Sequence, residues 1–428
     1  MRTLCKRSVQ TMINNYFNGG YVMKSSEIPK FGPLSGVKVI SCGLSVAGPF
    51  AAAMMADFGA DVIFVESPIV KDQFRTTDSL SYLNKDRRNH RAIVLDVVKP
   101  EGKEIFLSLL KDADIFIENS KAGTWDKRGL GDEELWKVNP KLVITHISGY
   151  GQTGEPEYLS RGSYDSIGQA FSGFMNMNGE PDGLPAPAPA YMGDYVAGLT
   201  GSWATLAAYI NAQKTGVGES IDCAQFEALL MIQAGFPSDW INYKIERKRS
   251  GASSPTFAGC QPYKCQDGYV YTFFLSTLTL QKGLPLLGLE FGSPDFPSDK
   301  YAVFKGTPGA ELLHQRLEEF CAVRTVMEAE KELNAHGIVS SAIITYQTMY
   351  DHPHYKARGV FQEYDAFEGG KFIAPAIAPR LKNNPGKVWR AAPSYGKDNE
   401  DVLEELGYSS EQIKDFYAKN ILKQDPTC

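Results

Sequence analysis

The sequence predicts an α/β protein, with a Rossmann-like parallel sheet in a large domain and a smaller α/β domain after it. Between residues 37 and 147, short runs of mostly apolar residues alternate with helical stretches, which is typical of a parallel sheet covered on both faces. The chain has 428 residues, more than one hydrophobic core usually supports. A Pro-rich stretch at 181–190 (PDGLPAPAPA) separates this first region from the rest.

Each predicted element follows from a local pattern. A helix is predicted at 47–58 because Pro49 lies in its first turn and Gly59 just past its end. A second, amphipathic helix is predicted at 102–111. Strands are predicted where apolar residues run together, at 37–41, 61–66, 114–118 and 142–147.

The second half of the chain carries weaker patterns. A helix rich in small residues is predicted at 194–212, a strand at 269–274, and two helices near 309–323 and 325–335. The predicted organisation is an extension at 1–28, expected to be disordered, a large domain at 29–225, a linker at 226–255, a small domain at 256–350 and a C-terminal segment at 351–428 that returns to the large domain.

Composition excludes several classes of function. The chain has 44 Lys and Arg against 50 Asp and Glu, a net charge of −6, whereas nucleic-acid-binding proteins usually carry a basic excess. Its seven cysteines include no C-x-x-C pair, which predicts reduced thiols in a cytoplasmic protein and no metal site. No apolar run reaches the roughly 18 residues of a membrane-spanning helix, so we expect no membrane partner.

The turn after the first strand carries no nucleotide-binding signature. Residues 43–48 read GLSVAG, which is neither the G-x-G-x-x-G motif of dinucleotide-binding proteins nor a phosphate-binding P-loop. NAD and ATP are therefore disfavoured as ligands, and any nucleotide bound here must use other contacts.

Asp194 is the first candidate for chemistry. It follows the Pro-rich stretch and opens the small-residue helix, so it is either a plain helix N-cap, for which Asp is a preferred residue, or a reactive carboxylate. In the second interpretation, the helix dipole and free N–H groups stabilise the anion. An ionised carboxylate in a dry pocket can attack an acyl carbon and form a mixed anhydride, which keeps the activation of a thioester.

Two basic segments could bind phosphate. Lys121 and Arg128 follow the third predicted strand, at the edge of the sheet where α/β folds place ligands. A second basic run lies at 85–91 (KDRRNHR). For both segments the alternative is a solvated basic surface. The loop at 257–262 (FAGCQP) is either an oxyanion-binding loop, through its backbone N–H groups, or a simple turn.

Many short segments, in order, resemble class III CoA-transferases of the CaiB/BaiF type, and the resemblance extends over nearly the whole chain from about residue 30 to residue 422. The matching segments are 36–40 (GVKVI), 47–49 (AGP), 58–63 (FGADVI), 88–89 (RN), 92–93 (AI), 128–129 (RG), 139–143 (NPKLV), 148–152 (SGYGQ), 193–195 (GDY) and 216–220 (GVGES).

The resemblance implies a function and a set of site residues. Asp194 falls on the catalytic aspartate of the family, which passes coenzyme A from an acyl-CoA donor to a carboxylic acid through an aspartyl–acyl anhydride. Coenzyme A is then bound as substrate thioester, with no metal, and two subunits form an interlocked homodimer. The residues expected to contact coenzyme A or substrate are Lys121, Arg128, Val46, Ala47, Arg91 and Tyr150.

Within the family, segments 29–34 (PKFGPL) and 382–386 (KNNPG) are most similar to enzymes that act on carnitine, whereas 149–154 (GYGQTG) is shared with those that act on bile acids. A carnitine/crotonobetaine-type pair is therefore expected, with a bile-acid or hydroxyacyl pair as the alternative. Formyl-CoA transferase, another member, has glycines where residues 257–260 read FAGC, and a lysine at the position of Ser148.

Acyl-CoA racemases share the fold and are a further alternative. They carry a Gly-His-Asp motif, whereas the corresponding stretch here, 162–165, reads GSYD and lacks the histidine. Proton transfer by two bases needs a second titratable group, so the racemase activity is disfavoured. If the substrate is a trimethylammonium acid, Tyr191, Trp240 and Tyr243 are candidates to hold the cation, with burial in the core as the alternative for each.

Overall fold

The computed structural model describes residues 24–76, 81–367 and 369–425. Of the predicted extension at 1–28, residues 1–23 lie outside the described residues. The described chain divides into two compact units. One contains the described residues up to Ser172, Pro189–Ile232, and the described residues from Val360 onward; the other contains Gly173–Ala188 and Gln233–Gly359.

The first unit is built on a parallel sheet of six strands in the order β3-β2-β1-β4-β5-β6. The strands are β1 (Lys38–Ser41), β2 (Asp61–Glu66), β3 (His90–Val94), β4 (Ile115–Glu118), β5 (Val143–Ser148) and β6 (Glu219–Ala224). The strand order reverses between β1 and β4, and α/β folds bind ligands at the carboxyl ends of the strands beside such a reversal. The predicted α/β class with a parallel sheet is confirmed.

The remaining elements of the described residues connect and cover this sheet or form the second unit. The α-helices are α1 (Ala47–Asp57), α2 (Ser81–Asp86), α3 (Pro100–Lys111), α4 (Thr124–Lys127), α5 (Asp132–Val138), α6 (Pro156–Leu159), α7 (Asp165–Phe171), α8 (Met192–Thr215), α9 (Gln225–Met231), α10 (Phe236–Ser238), α11 (Thr277–Leu286), α12 (Pro308–Ala322), α13 (Val326–Ala335), α14 (Tyr346–Asp351), α15 (Pro353–Arg358), α16 (Asn399–Glu405) and α17 (Ser410–Ala418). Short 3-10 helices lie at Ser25–Glu27, Gln73–Arg75 and Met175–Met177, and a π-helix at Asp239–Tyr243.

Helices α1 and α8 pack together over one face of the sheet. The apolar core there includes Ala51 and Ala56 of α1 and Ala197 of α8, and such small side chains let two helices approach closely. A Cβ atom at Gly198 would lie 2.9 Å from the carbonyl oxygen of Ala47, so only glycine permits this approach. The close contact places the first turn of α8 beside the first turn of α1.

The C-terminal segment protects the exposed edge of the sheet. The carboxylate of Asp398 accepts the Ala92 N–H at 2.7 Å, and Asn399 Oδ1 accepts the Val94 N–H at 2.8 Å. These two side chains occupy backbone donors of edge strand β3, which would otherwise be open to pairing with another strand. A β-hairpin, β10 (Phe361–Asp365) and β11 (Lys371–Pro375), also belongs to this unit.

The basic run at 85–91 leads into strand β3, which begins at His90, and its arginines do not form a solvated surface. Its arginines are buried in ion pairs: Arg87 with Asp72, and Arg88 with Asp57 at 2.6 Å. The expectation of a solvated face is therefore wrong here, because carboxylates distant in sequence neutralise the arginines inside the fold.

The second unit contains an antiparallel sheet in the order β7-β8-β9, made of β7 (Pro262–Lys264), β8 (Tyr269–Phe273) and β9 (Val339–Ala342). Helices α11, α12 and α13 contribute to its apolar core. The predicted linker region is ordered in part: Arg249 donates to the carbonyl oxygens of Asn176, Glu180 and Gly183.

Candidate active site

A cavity of about 730 Å³ lies in the first unit at the carboxyl ends of strands β1 to β5. Turns that follow these strands line it, and Asp194 of α8 closes one side. Other residues in the lining include Ser45, Val46, Ala47, Glu66, Val98, Asn119, Lys121, Trp125, Arg128, Ser148, Tyr150, Arg161 and Ser163. The cavity therefore collects most of the residues that the sequence analysis selected.

Asp194 is not the N-cap of its helix. Tyr191 occupies the cap position in a left-handed conformation (φ 54°), and Asp194 is the third helical residue, in the first turn. The free N–H groups of this turn are capped by another residue: Asp165 Oδ1 accepts from Gly193 N at 2.7 Å and from Asp194 N at 3.3 Å. The cap interpretation is therefore wrong, and Asp165 leaves the Asp194 carboxylate free to face the cavity.

One oxygen of Asp194 is held and the other is not. Gln225 Nε2 donates to Asp194 Oδ1 at 2.5 Å. The amide of Gln225 is itself oriented, because its Oε1 accepts from the Ser163 hydroxyl at 3.0 Å. No described residue donates a hydrogen bond to Asp194 Oδ2. We call Asp165, Asp194 and Gln225 the carboxylate cluster.

The electrostatics of Asp194 differ from the sequence expectation of a dipole-stabilised anion. Burial and the nearby Asp165 carboxylate raise the pKa of Asp194 to about 7, while the Gln225 hydrogen bond opposes the shift. Burial disfavours the charged form and a like charge does the same. The helix N–H groups do not offset these effects, since Asp165 already accepts two of them. The result is a carboxylate with the basicity that nucleophilic or general-base chemistry near neutral pH requires.

The two predicted phosphate-binding cations belong to one loop after β4, residues 119–128, which we call the cation loop. Lys121 is exposed, and Arg128 lies with its guanidinium carbon 5.1 Å from the ring centre of Trp125. Both side chains line the cavity. A third cation, Arg161, also lines it but is paired with Glu157.

The turn after β1 also lines the cavity. Val46 and Ala47 are nearly buried yet border the cavity, and Ser45 before them adopts a left-handed conformation (φ 61°). The buried Arg87 donates to the Ser45 carbonyl oxygen at 3.0 Å. The basic run thus contributes a support for this turn rather than a phosphate contact. Tyr150, from the turn after β5, lines the cavity and stacks edge-on against Phe171.

Arg91 does not join the others, which corrects its selection as a contact of coenzyme A or substrate. Its side chain is fully buried and does not line the cavity. The guanidinium pairs with Asp61 at 2.7 Å and with Glu405 at 2.9 Å. Both partners hold it in the structure of the first unit, so we do not propose it as a ligand contact.

The remaining candidates are the loop at 257–262 and three aromatic residues. In the loop at 257–262, which belongs to the second unit, the Ala258 N–H donates to the Val303 carbonyl at 2.9 Å. Tyr191, Trp240 and Tyr243 are 36%, 54% and 72% exposed. The alternative that these three rings are core residues is therefore wrong.

Among the described residues, no group of three or more His, Cys, Asp or Glu is arranged to hold a metal ion. No helix in the same part of the chain has the length and apolar character to cross a membrane. Cys42, Cys223, Cys260, Cys265 and Cys321 are free thiols.

Comparison with known proteins decides the family. The family model for CoA-transferase family III matches residues 34–399. This chain belongs to CoA-transferase family III. It is 38% identical over 400 residues to the L-carnitine CoA-transferase of Proteus mirabilis, covering 92% of this chain and 98% of the relative. It is 39% identical over 400 residues to the bile acid CoA-transferase BaiK of Clostridium scindens, covering 92% and 91% respectively.

Solved structures give the same family. A crystal structure of a CAIB/BAIF family protein from Brucella suis has a TM-score of 0.75 at 29% identity, covering 88% of this chain and 100% of that protein. A Mycobacterium tuberculosis protein, Rv3272, has a TM-score of 0.73 at 25% identity, covering 87% and 99%. The resemblance stated from sequence segments is confirmed, and the chain is a CoA-transferase with coenzyme A as its substrate group.

Sequence reasoning missed the residues that support Asp194 in this CoA-transferase. Asp165 and Gln225 are single polar residues on short helices, 29 and 31 positions away from Asp194. Segment 162–165 (GSYD) contains Asp165, but its sequence does not show that this residue caps the helix of Asp194. Only the fold brings these side chains together.

Proposed function

We propose that this CoA-transferase moves coenzyme A from an acyl-CoA donor to a carboxylic acid through an acyl anhydride on Asp194. The observation that carries the proposal is the position of Asp194: a carboxylate with a pKa raised to about 7 by burial and by Asp165, at the wall of a cavity that also exposes two cations. About half of such carboxylates are ionised at pH 7, and the ionised form is poorly solvated and is therefore a competent nucleophile.

The proposed reaction consists of four exchanges at carbonyl carbons. Asp194 Oδ2 attacks the thioester carbon, the C–S bond breaks, and coenzyme A leaves as thiolate. The thiolate attacks Cγ of Asp194 and releases the donor acid, which leaves an aspartyl thioester. The acceptor carboxylate then attacks Cγ and again displaces the thiolate, forming a second anhydride. Attack of the thiolate on the acceptor acyl carbon gives product acyl-CoA and restores the carboxylate.

The geometry supports Oδ2 as the attacking atom. Gln225 binds Oδ1 at 2.5 Å, and the carboxylate is thereby held in one orientation. The same amide N–H can stabilise charge on Oδ1 when Cγ becomes tetrahedral, as oxyanion donors do. This role is independent of the loop at 257–262, whose oxyanion function stays a prediction.

Lys121 and Arg128 are proposed to bind the phosphates of coenzyme A. Both belong to the cation loop and line the cavity, and Arg128 carries a planar guanidinium suited to bidentate phosphate contacts. Val46, Ala47 and Tyr150 are proposed to contact the bound thioester, because they line the same cavity.

For the acyl pair we propose a carnitine-type acid, on the segments that resemble carnitine enzymes. The named relatives do not separate this from a bile-acid pair, since the two are 38% and 39% identical to this chain. We further propose a cytoplasmic location, on the free thiols of the described residues.

An interlocked homodimer is proposed from the outer face of α8. Leu199, Trp203 and Ile210 are 47%, 73% and 54% exposed on this helix. Their spacing of four and seven residues places them along one face. Trp and Leu side chains in a continuous exposed row are typical of a surface covered by a partner, and a second copy of this chain is the partner that the family resemblance implies.

The proposal is tested by trapping. The enzyme is mixed briefly with an acyl-CoA donor and hydroxylamine, and its peptides are analysed by mass spectrometry. We expect a hydroxamate on the peptide that contains Asp194, absent in Asp194→Ala and retained in a control variant at a surface carboxylate, Asp112→Ala. A panel of carnitine-type, bile-acid and hydroxyacyl donors then ranks the acyl pair.

No hydroxamate with any donor, combined with entry of solvent deuterium at the acyl α-carbon, would contradict the transferase chemistry and favour a racemase. The histidines of the first unit give little support to racemase chemistry in this cavity. His90 and His146 are the histidines of the first unit, and neither lines the cavity.

A further inference from the structure

His146 lies in the second half of β5, between two carboxylates. Its Nδ1 is 2.7 Å from Glu118 Oε1 and its Nε2 is 2.9 Å from Asp132 Oδ1. The histidine is 8% exposed and Glu118 only 1%. The three residues come from β5, β4 and α5, so their contacts tie the ends of two neighbouring strands to the helix between them.

These contacts require a charged imidazole. An ionised carboxylate only accepts hydrogen bonds, so two carboxylate partners require both ring nitrogens to donate. Burial by itself lowers the pKa of His146, but the hydrogen bonds and charges of Asp132 and Glu118 prevail and raise it to about 10. The pKa of Asp132 is lowered by His146 even though burial acts in the opposite direction. At neutral pH, His146 is therefore an imidazolium.

The second oxygen of Glu118 connects this charged centre to the cation loop. Glu118 Oε2 accepts the Ser120 N–H at 2.5 Å and the indole N–H of Trp125 at 2.9 Å. Ser120 directly precedes Lys121, and the guanidinium carbon of Arg128 lies over the Trp125 ring, 5.1 Å from its centre. One carboxylate thus holds the cation loop at two points, at Ser120 and at Trp125.

We propose that His146 is a positioning residue for coenzyme binding: clamped between Glu118 and Asp132, it holds Glu118 so that the cation loop presents Lys121 and Arg128 to the coenzyme phosphates. This inference rests on the proposed function. His146 does not line the cavity, so it acts through Glu118 and touches no substrate.

A role in packing alone does not account for the arrangement. A buried ion triad usually stabilises no better than apolar residues of similar volume, because removing charges from water is costly. The charges of this triad instead serve to fix one conformation of the cation loop. Loss of the imidazolium leaves Glu118 buried without its charged partner, and the loop anchors at Ser120 and Trp125 weaken together.

The test compares two thioester donors in the full-length enzyme. One is acyl-CoA, and the other is the acyl-pantetheine thioester that lacks the nucleotide and its phosphates. For His146→Asn, which keeps a donor near the Nδ1 position but carries no charge, we expect KM for acyl-CoA to rise about tenfold, with kcat within about twofold. We expect kcat/KM for acyl-pantetheine to stay within about twofold, because it does not use the cations.

Equal losses with both donors would overturn the proposal, since they indicate general damage; so would unchanged kinetics with acyl-CoA. Asp132 is partly exposed, so Asp132→Asn is the second variant if His146→Asn does not fold, and we expect the same selective rise in KM, about threefold or more. Failure of the proposed function is distinguishable, because wild-type enzyme would then form no thioester of the acceptor acid with either donor.

Discussion

Asp194 of the carboxylate cluster lines the same cavity as the cation loop. Each of these two regions is organised around one carboxylate, but the two carboxylates have different partners. Glu118 faces an imidazolium at 2.7 Å and also accepts two N–H groups. Asp194 faces another carboxylate, Asp165, and a neutral amide, and its pKa rises to about 7.

This difference distinguishes a carboxylate that fixes the structure, Glu118, from a carboxylate that reacts, Asp194. A carboxylate paired with a cation is satisfied and stays in place, whereas one that is desolvated beside a like charge keeps its affinity for an electrophile. Asp194 therefore stays basic because no cation of the described residues pairs with it. Glu118 holds the cation loop in place because His146 is its counter-ion. Variants that change these residues or their neighbours test the difference between the two carboxylates.

The largest effect is expected for Asp194→Asn. An amide cannot form the acyl anhydride, so we expect kcat for CoA transfer to fall by about 10³-fold or more. The matched control is Asp112→Asn, a surface carboxylate outside the cavity lining, which should retain wild-type activity. A kcat for Asp194→Asn within about tenfold of wild type would contradict the assignment of Asp194 as the reacting carboxylate.

The same variant is expected to be more stable than wild type at alkaline pH. A folded pKa of about 7 against an unfolded value near 4 means that the folded state holds the proton longer. The resulting loss of stability begins as pH rises above the unfolded value and is complete above the folded one. We expect the stability advantage of Asp194→Asn to grow by roughly 2–3 kcal/mol between pH 5 and pH 8.

This is measured by denaturant unfolding of both proteins at each pH. A constant difference across this range would show that the desolvated carboxylate is not the source of the penalty, and would place the raised pKa in doubt.

A smaller effect is expected at the cation loop. Arg128→Gln removes a charge-assisted phosphate contact, so KM for acyl-CoA should rise about tenfold, with a smaller change in kcat. Lys127 is exposed and does not line the cavity, so Lys127→Gln is its neighbour control. Equal effects of the two variants would mean that the loop acts by general charge and not by a placed contact.

The smallest effect concerns pH. In wild type, kcat/KM should fall below pH 7 as Asp194 is protonated and level off above it, since only the anion attacks. Asp165→Asn removes the like charge but keeps an oxygen for the helix N–H groups, so the acid limb should move down by about one pH unit. An unmoved limb would assign the raised pKa of Asp194 to burial alone.

The fold was largely predictable because its sheet is encoded locally. Strand β2 was predicted at its observed bounds, 61–66, from the apolar run VIFV between Asp61 and Glu66. Strands β3 and β6 were missed because charged residues inside them, including Arg91 and Asp222, interrupt their apolar runs. The charges in these strands are explained only by partners distant in sequence. Arg91, for example, pairs with Glu405, 314 positions away.

The candidate site divides in the same way. Lys121, Arg128 and Asp194 were selected from their places after a strand or at the start of a helix, and all three line one cavity. The supports of these residues were not selected. Asp165, Gln225 and His146 are lone polar side chains whose meaning depends on contacts between separate elements, and no local pattern marks them.

The most direct test of the account follows oxygen atoms. In the proposed reaction, Asp194 gives its bridging oxygen to the departing donor acid and takes one from the acceptor carboxylate, while Oδ1 stays bound to Gln225. Turnover with an acceptor labelled with ¹⁸O in both carboxylate oxygens should therefore raise the mass of the Asp194 peptide by about 2 units, one oxygen and no more. Acyl-CoA product formed with no ¹⁸O in that peptide would contradict Asp194 as the nucleophile.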